Sequence, residues 1–254
     1  MKNLVRLVCL TTLLTTSVAY AAGGSGPIFH MNVDTGNKKS LQRGAQTFVN
    51  YCLSCHEASY SRYNRVAADL GISEANMRDN MIFTGKKIGE TMTVAMTSEQ
   101  GKEWFGVVPP DLSVKARSRG ADWIYSFLKS FYLDDSTSQG TNNKMLAGTS
   151  MPHVLWELQG YQKLKAKDDH HADDSHAGHG HGAGDHSPFV LAVDGQLSPA
   201  EYDRTITDLV NFLVYLSEPA QLQRKKVGVG VLFFLFTLGV FAYFLKKEYW
   251  KDIH

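Results

Sequence analysis

The chain has 254 residues, 43% of them hydrophobic, and 26 Lys and Arg against 25 Asp and Glu leave a formal charge of +1. That length suits one substantial domain or two small ones. So balanced a charge excludes the basic footprint of a nucleic-acid binder, and no nucleic-acid partner is expected.

Lys2 and Arg6 frame an apolar run from Leu7 to Val18 that ends in Ala19-Tyr20-Ala21. A charged start, a short apolar stretch and a small-x-small end make residues 1–21 a cleaved signal peptide, because the run is short for a membrane anchor. Cys9 leaves with it, so Cys52 and Cys55 are the cysteines of the mature chain. Residues 23–39 are Gly-rich, without period, and read as an extended lead-in. Ser40 is expected to cap a helix with Leu41, Ala45, Phe48 and Val49 on one face, which runs into Cys52-Leu53-Ser54-Cys55-His56.

Cys-x-x-Cys-His attaches haem: the thiols, one helical turn apart, add across two vinyl groups, and the adjacent imidazole reaches the iron from the same side. Cys52, Cys55 and His56 are therefore candidate cofactor-binding residues, His56 as an axial ligand. A redox dithiol would need no His after the second Cys and would open a helix in a βαβ setting absent from this pattern. A zinc site would need a second ligand pair at regular spacing. Export agrees with haem, since c-type haem is attached outside the bacterial inner membrane.

Met77, Met81, Met92 and Met96 follow, without supporting turns, and read mainly as core filling. Gly106 to Ser113 contains Pro109-Pro110-Asp111, an extended turn in which Asp111 or Ser113 is expected to cap the next helix. Arg117 and Arg119 follow; a guanidinium there suits a bidentate pair with a haem propionate, against the alternative of a solvated surface Arg. Asp122 to Tyr132 reads as a helix with Ile124, Phe127, Leu128 and Phe131 on its apolar face, and Asp134 to Lys144 as a loop.

Met151 is the preferred sixth ligand, because turn residues before it and Pro152 after it present the thioether from a loop. Met145 and His153 are its rivals, with the upstream methionines behind them. Thioether ligation favours ferrous iron and raises the potential.

The stretch 168–186 is a low-complexity insertion of His, Asp and Gly, capable of weak binding of zinc, copper or nickel but without preformed geometry. Phe189 to Val193 is a short strand candidate before an Asp194-Gly195 turn. Ser198-Pro199-Ala200-Glu201 has the form of a capping box with Pro at the first helical position. The helix that follows carries Ile206, Leu209, Val210, Leu213 and Val214 on one face, stops at Pro219, and is expected to pack on the Ser40 helix.

Val227 to Leu245 is uninterruptedly apolar, with Arg224, Lys225 and Lys226 before it and Lys246 and Lys247 after it. It is long enough for a transmembrane helix, and Tyr243, Tyr249 and Trp250 stand where interfacial aromatics belong. The basic flanks do not decide orientation; the signal peptide does, sending residues 22–226 to the periplasm and leaving 246–254 as a cytoplasmic tail. The fold class expected is mainly α: a class I cytochrome c-like helical haem domain with long loop insertions, plus one C-terminal transmembrane helix.

The order of signal peptide, helix, Cys-x-x-Cys-His, Pro109-Pro110-Asp111-Leu112-Ser113, Arg117-Ser118-Arg119, Met151-Pro152, Glu218-Pro219, basic cluster and one span resembles the cytochrome c1 family over nearly the whole mature chain. These proteins are the haem-bearing subunits of quinol:cytochrome c oxidoreductase, the cytochrome bc1 complex. The resemblance implies one covalent haem c on Cys52 and Cys55, His56 and Met151 as iron ligands, and Arg119 as propionate partner, with Arg117 and Pro110 also at the cofactor. The His-rich tract has no counterpart in this family pattern.

The resemblance further implies an electron-transfer subunit, without bond-making catalysis of its own, in the bacterial inner membrane. It would take single electrons from the Rieske iron-sulfur subunit, pass them to a soluble or membrane-attached cytochrome c, and sit beside cytochrome b in the lipid bilayer. Two other readings are a tethered monohaem cytochrome feeding a terminal oxidase and a haem peroxidase, which would need an open sixth site.

Overall fold

The computed structural model describes residues 27–165 and 187–251. The signal peptide and the His-rich tract expected from the sequence lie outside the described residues. The core is a pair of crossed helices. Helix α1 (Lys38–Thr47) packs against the long helix α8 (Pro199–Ser217), as expected from their apolar faces. Leu41, Ala45 and Phe48 meet Leu209, Phe212 and Leu213, all buried, and the Phe48 and Phe212 rings lie 5.6 Å apart.

The crossing is close because Gly44 faces the α8 backbone: a Cβ there would lie 2.0 Å from the Asp208 carbonyl oxygen. Close approach also brings polar groups together. Buried Asp208 accepts hydrogen bonds from Ser40 Oγ at 2.5 Å and from Arg43 Nε and Nη2 at 2.5 and 3.0 Å. The carboxylate is thus neutralised and hydrogen-bonded, which a buried charge requires. Ser40 is therefore not the helix cap: Asn37 is, its Oδ1 accepting from Ser40 N–H at 3.2 Å. In the sequence Ser40 looks like a cap because Ser commonly serves there; the structure uses its hydroxyl to join two helices.

Helix α1 continues into a π-helical turn (Phe48–Cys52), then β1 (Ala58–Arg62), α2 (Tyr63–Leu70), α3 (Glu74–Met81), β2 (Thr91–Met92) and α4 (Ser98–Phe105). Met77, Met81 and Met92 are buried in the core, as expected of gap-fillers. Next come α5 (Lys115–Arg119) and α6 (Ala121–Lys129). Val114 precedes α5 with no side-chain cap, so neither Asp111 nor Ser113 performs that task. Helix α6 is shorter than the expected 122–132: Phe131–Leu133 form β3, paired antiparallel with β4 (Thr141–Asn143), the end of the expected loop. The aromatic run Phe131-Tyr132-Leu133 suits a strand as well as a helix, and pairing with Asn142 and Asn143 decides it.

Helix α7 (Trp156–Gln159) leads to β5 (Gly160–Leu164), which pairs antiparallel with β6 (Phe189–Asp194). Ser198 and Glu201 make the reciprocal capping box at the start of α8, with Pro199 at the first turn. The described fold is mainly helical, with three two-stranded ribbons.

Helix α9 (Gln221–Tyr249) encloses the apolar run 227–245. Its apolar stretch is not buried, and among the described residues it is the one helix long and apolar enough to cross a membrane. At 1.5 Å per residue it is about 44 Å long, more than the ~30 Å hydrocarbon core. Phe233, Phe234, Phe236 and Phe241 are exposed on it, an apolar surface that fits a membrane anchor.

Candidate haem site

The π-helical turn ends α1 at Cys52, whose carbonyl accepts hydrogen bonds from Cys55 N–H at 3.0 Å and His56 N–H at 2.8 Å. A π-turn inside a helix often marks a functional site, because the extra residue re-aims the side chains after it. Here the tight turn brings Cys52, Cys55 and His56 to one wall of a cavity of about 440 Å³. Cys52 and Cys55 form no disulfide with each other. Before any thioether bond forms, burial and secondarily Cys55 push the Cys52 thiol up to about 12.

The His56 ring is held from behind. Its Nδ1 lies 2.8 Å from the Pro110 carbonyl oxygen, which can only accept, so Nδ1 carries the proton and the Nε2 lone pair is left available. Burial lowers the affinity of this imidazole for a second proton, the bond to Pro110 opposes that, and Lys115 adds to it. A metal-binding His is normally oriented by such a bond on its other nitrogen. Pro110, singled out from the sequence, acts through this carbonyl.

The loop carrying Met151 also lines the cavity. Asn143, fully buried, organises that loop: its Oδ1 accepts from Met145 N–H at 2.9 Å and Ser130 Oγ at 3.1 Å, and its Nδ2 donates to the Phe127 carbonyl at 2.8 Å. Asn142 Oδ1 accepts from Gly148 N–H at 2.9 Å, and Thr149 Oγ1 from Met151 N–H at 3.3 Å. Neither asparagine is distinguishable in the sequence from an ordinary turn residue.

The rivals of Met151 stand elsewhere. Met145 is half-buried against the core and does not line the cavity. His153 is buried, stacked 5.0 Å from Phe131, with Nε2 3.3 Å from the Gly160 carbonyl; burial drives its pKa down to about 4. Of the two arginines, Arg119 lines the cavity, its guanidinium 4.9 Å over the Trp123 ring. Arg117 does not: it is exposed and faces Glu218 at 3.9 Å, which also pairs with Arg224. The helical period turns two residues spaced by one to different faces.

Apolar groups close the remaining walls, Ile124, Phe127 and Leu128 from α6 and Leu209 and Leu213 from α8. Two cysteines, an imidazole with an oriented tautomer, a thioether and one guanidinium lining one apolar cleft fit a covalently attached haem c.

Comparison with known proteins agrees. Residues 28–179 and 190–253 match the model of the Cytochrome C1 family. The match breaks off at residues 180–189, where the His-rich tract ends. The chain is 45% identical over 250 residues to cytochrome c1 of Allochromatium vinosum, covering 98% of this chain and 99% of the relative. It is 44% identical over 252 residues to a protein named ammonia monooxygenase gamma subunit in Nitrosomonas europaea, covering 99% and 100%. Cytochrome c1 of Rhodospirillum rubrum is 26% identical over 239 residues, covering 85% and 83%. The chain belongs to the cytochrome c1 family, the haem c electron-transfer subunits of cytochrome bc1 complexes, and carries a covalently bound haem c.

Proposed function

We propose that this chain relays single electrons from the Rieske iron-sulfur subunit to a soluble or membrane-attached cytochrome c, beside cytochrome b in a quinol:cytochrome c oxidoreductase. Cys52 and Cys55 would hold the haem by thioether bonds, His56 and Met151 would ligate its iron, and Arg119 would pair with a propionate. The observation that carries this reading is the convergence of Cys52, Cys55, His56 and Met151 on one apolar cavity. Haem c supplies one-electron redox chemistry. The residues around it exclude water, orient the imidazole through Pro110 and favour the ferrous state through the thioether.

Residues 1–21 are a cleaved signal, 22–226 the periplasmic haem domain, 227–245 the single membrane span of the inner membrane and 246–254 the cytoplasmic tail. Support comes from the signal pattern and from α9, which follows the haem domain directly. A fixed relay, not a diffusing carrier, results.

Replacing Met151 with Leu removes the methionine-to-ferric-iron charge-transfer band and lowers the potential, whereas Met145→Leu keeps both. An unchanged spectrum in the Met151 variant sinks the ligand assignment, and absence of the band in the parent protein would favour an open-site peroxidase. Purification in mild detergent tests the partners. Co-purifying b-type haem and an iron-sulfur protein support the bc1 reading; a terminal oxidase, or a monooxygenase as the name of the Nitrosomonas europaea relative suggests, would replace it.

A further inference from the structure

The 109–113 turn is tied to the segment after the haem-attachment motif by more than the carbonyl that meets His56. Asp111 Oδ2 accepts from Ser59 N–H at 3.2 Å and from the Ser59 hydroxyl, while Oδ1 accepts from Ser113 N–H at 2.6 Å. Ser113 Oγ in turn accepts from Tyr60 N–H at 3.1 Å, and Leu112 N–H donates to the Glu57 carbonyl at 2.7 Å. Residues 57–60 and 111–113 are thereby stitched together immediately beyond His56 and Pro110.

Asp111 is exposed at the protein surface, where a carboxylate ordinarily stays in water. This one gathers three donors. The plane of the peptide joining Pro110 to Asp111 sets where the Pro110 oxygen points, so whatever anchors Asp111 aims that oxygen at His56 Nδ1. A hydrogen bond weakens steeply when its angle opens, and the partner of a ligating imidazole sets its basicity as well as its orientation.

We infer that Asp111 is a positioning residue for His56: by clamping the 109–113 turn to Ser59 and Ser113 it aims the Pro110 carbonyl at the imidazole and thereby sets the reduction potential of the haem. This rests on the reading of His56 as an axial ligand. Loosening the clamp weakens the bond to Nδ1, makes the imidazole a poorer donor to ferric iron, and raises the potential.

The test uses the full-length holoprotein in detergent with Asp111→Ala, Asp111→Asn and Ser59→Ala, read by spectropotentiometric titration and by the NMR signal of the His56 ring N–H. Positioning predicts higher potentials for D111A and S59A and a moved ring-proton signal, with D111A shifted further than D111N and the methionine band retained. Ser59→Ala keeps the carboxylate, so its shift cannot come from charge. Equal shifts in D111A and D111N with S59A at the parent potential would overturn positioning in favour of a simple charge effect, and parent potentials throughout would overturn it outright. If D111A fails to take up haem, S59A and D111N decide. A parent protein without a His56 ligation signature would refute the ligand reading instead, a result distinct from either.

Discussion

Gly44→Ala tests the helix crossing on which the haem wall is built. The added Cβ would lie 2.0 Å from the Asp208 oxygen, 2.7 Å from its carbonyl carbon and 2.8 Å from Phe212 Cβ. A carbon and an oxygen rest at roughly 3.3 Å or more, so α1 and α8 must part by about 1 Å. The obstacle is backbone, which cannot rotate away. Overpacking alone costs about 1–3 kcal/mol, and stretching the Ser40 and Arg43 bonds to Asp208 adds about 1 kcal/mol. The expected loss is about 3 kcal/mol, out of a total of roughly 5–15 kcal/mol for a domain. At about 2–4 °C per kcal/mol for this size, Tm falls by about 10 °C. Thermal melts of the detergent-solubilised holoprotein, followed in the far ultraviolet and in the Soret band, measure it. Gly89→Ala, where no atom lies within 4 Å, is the control. A Gly44→Ala protein melting within about 2 °C of the parent would refute the claim that this glycine sets the interhelix distance.

Two further outcomes are expected. Asn143→Ala removes the shared partner of the Ser130 hydroxyl, the Met145 N–H and the Phe127 carbonyl in a fully buried site, and should cost about 2–4 kcal/mol in chemical denaturation. It should also weaken the ferric methionine band; an intact band with parent stability would show that the Met151 loop stands without it. At Asp122, burial raises the carboxyl pKa, but hydrogen bonds from His30 and from Met31 N–H, with the His30 charge, outweigh it and leave the pKa lowered. A carboxyl with a lowered folded pKa stabilises the fold above the unfolded value near 4 and loses that contribution as pH falls through the folded value. The side chain is more than one-third exposed, so the contribution is at most about 1 kcal/mol. The stability gap between parent and Asp122→Asn should therefore be full at pH 6 and shrink below about pH 4; a gap constant down to pH 3 would contradict it.

Local chemistry was legible without any fold. Cys52, Cys55 and His56 stand within five residues, so their spacing alone specifies a haem attachment, and the capping box at Ser198 and the apolar run 227–245 are equally self-contained. Their signals depend on neighbours along the chain, which the sequence contains in full. Ser40, Asp111 and Arg117 differ for the opposite reason. Each has a common local use, as cap, cap and cofactor partner, but each also has a partner 168 residues away for Ser40, 52 for Asp111 and 101 for Arg117, counting to Asp208, Ser59 and Glu218.

The same division separates His56 from the rest of its cavity. Sequence by itself determined the cofactor, one candidate ligand and the candidate membrane anchor. Only the tertiary structure decided that Met151, and not Met145 or His153, lines the cavity, that Arg119 turns toward it while Arg117 turns away, and that Pro110 holds His56 by its carbonyl. The physical reason is that a side chain's direction follows from packing and hydrogen bonds between segments distant in sequence, such as Asn143 on Phe127 and Asp111 on Ser59, which no local pattern records.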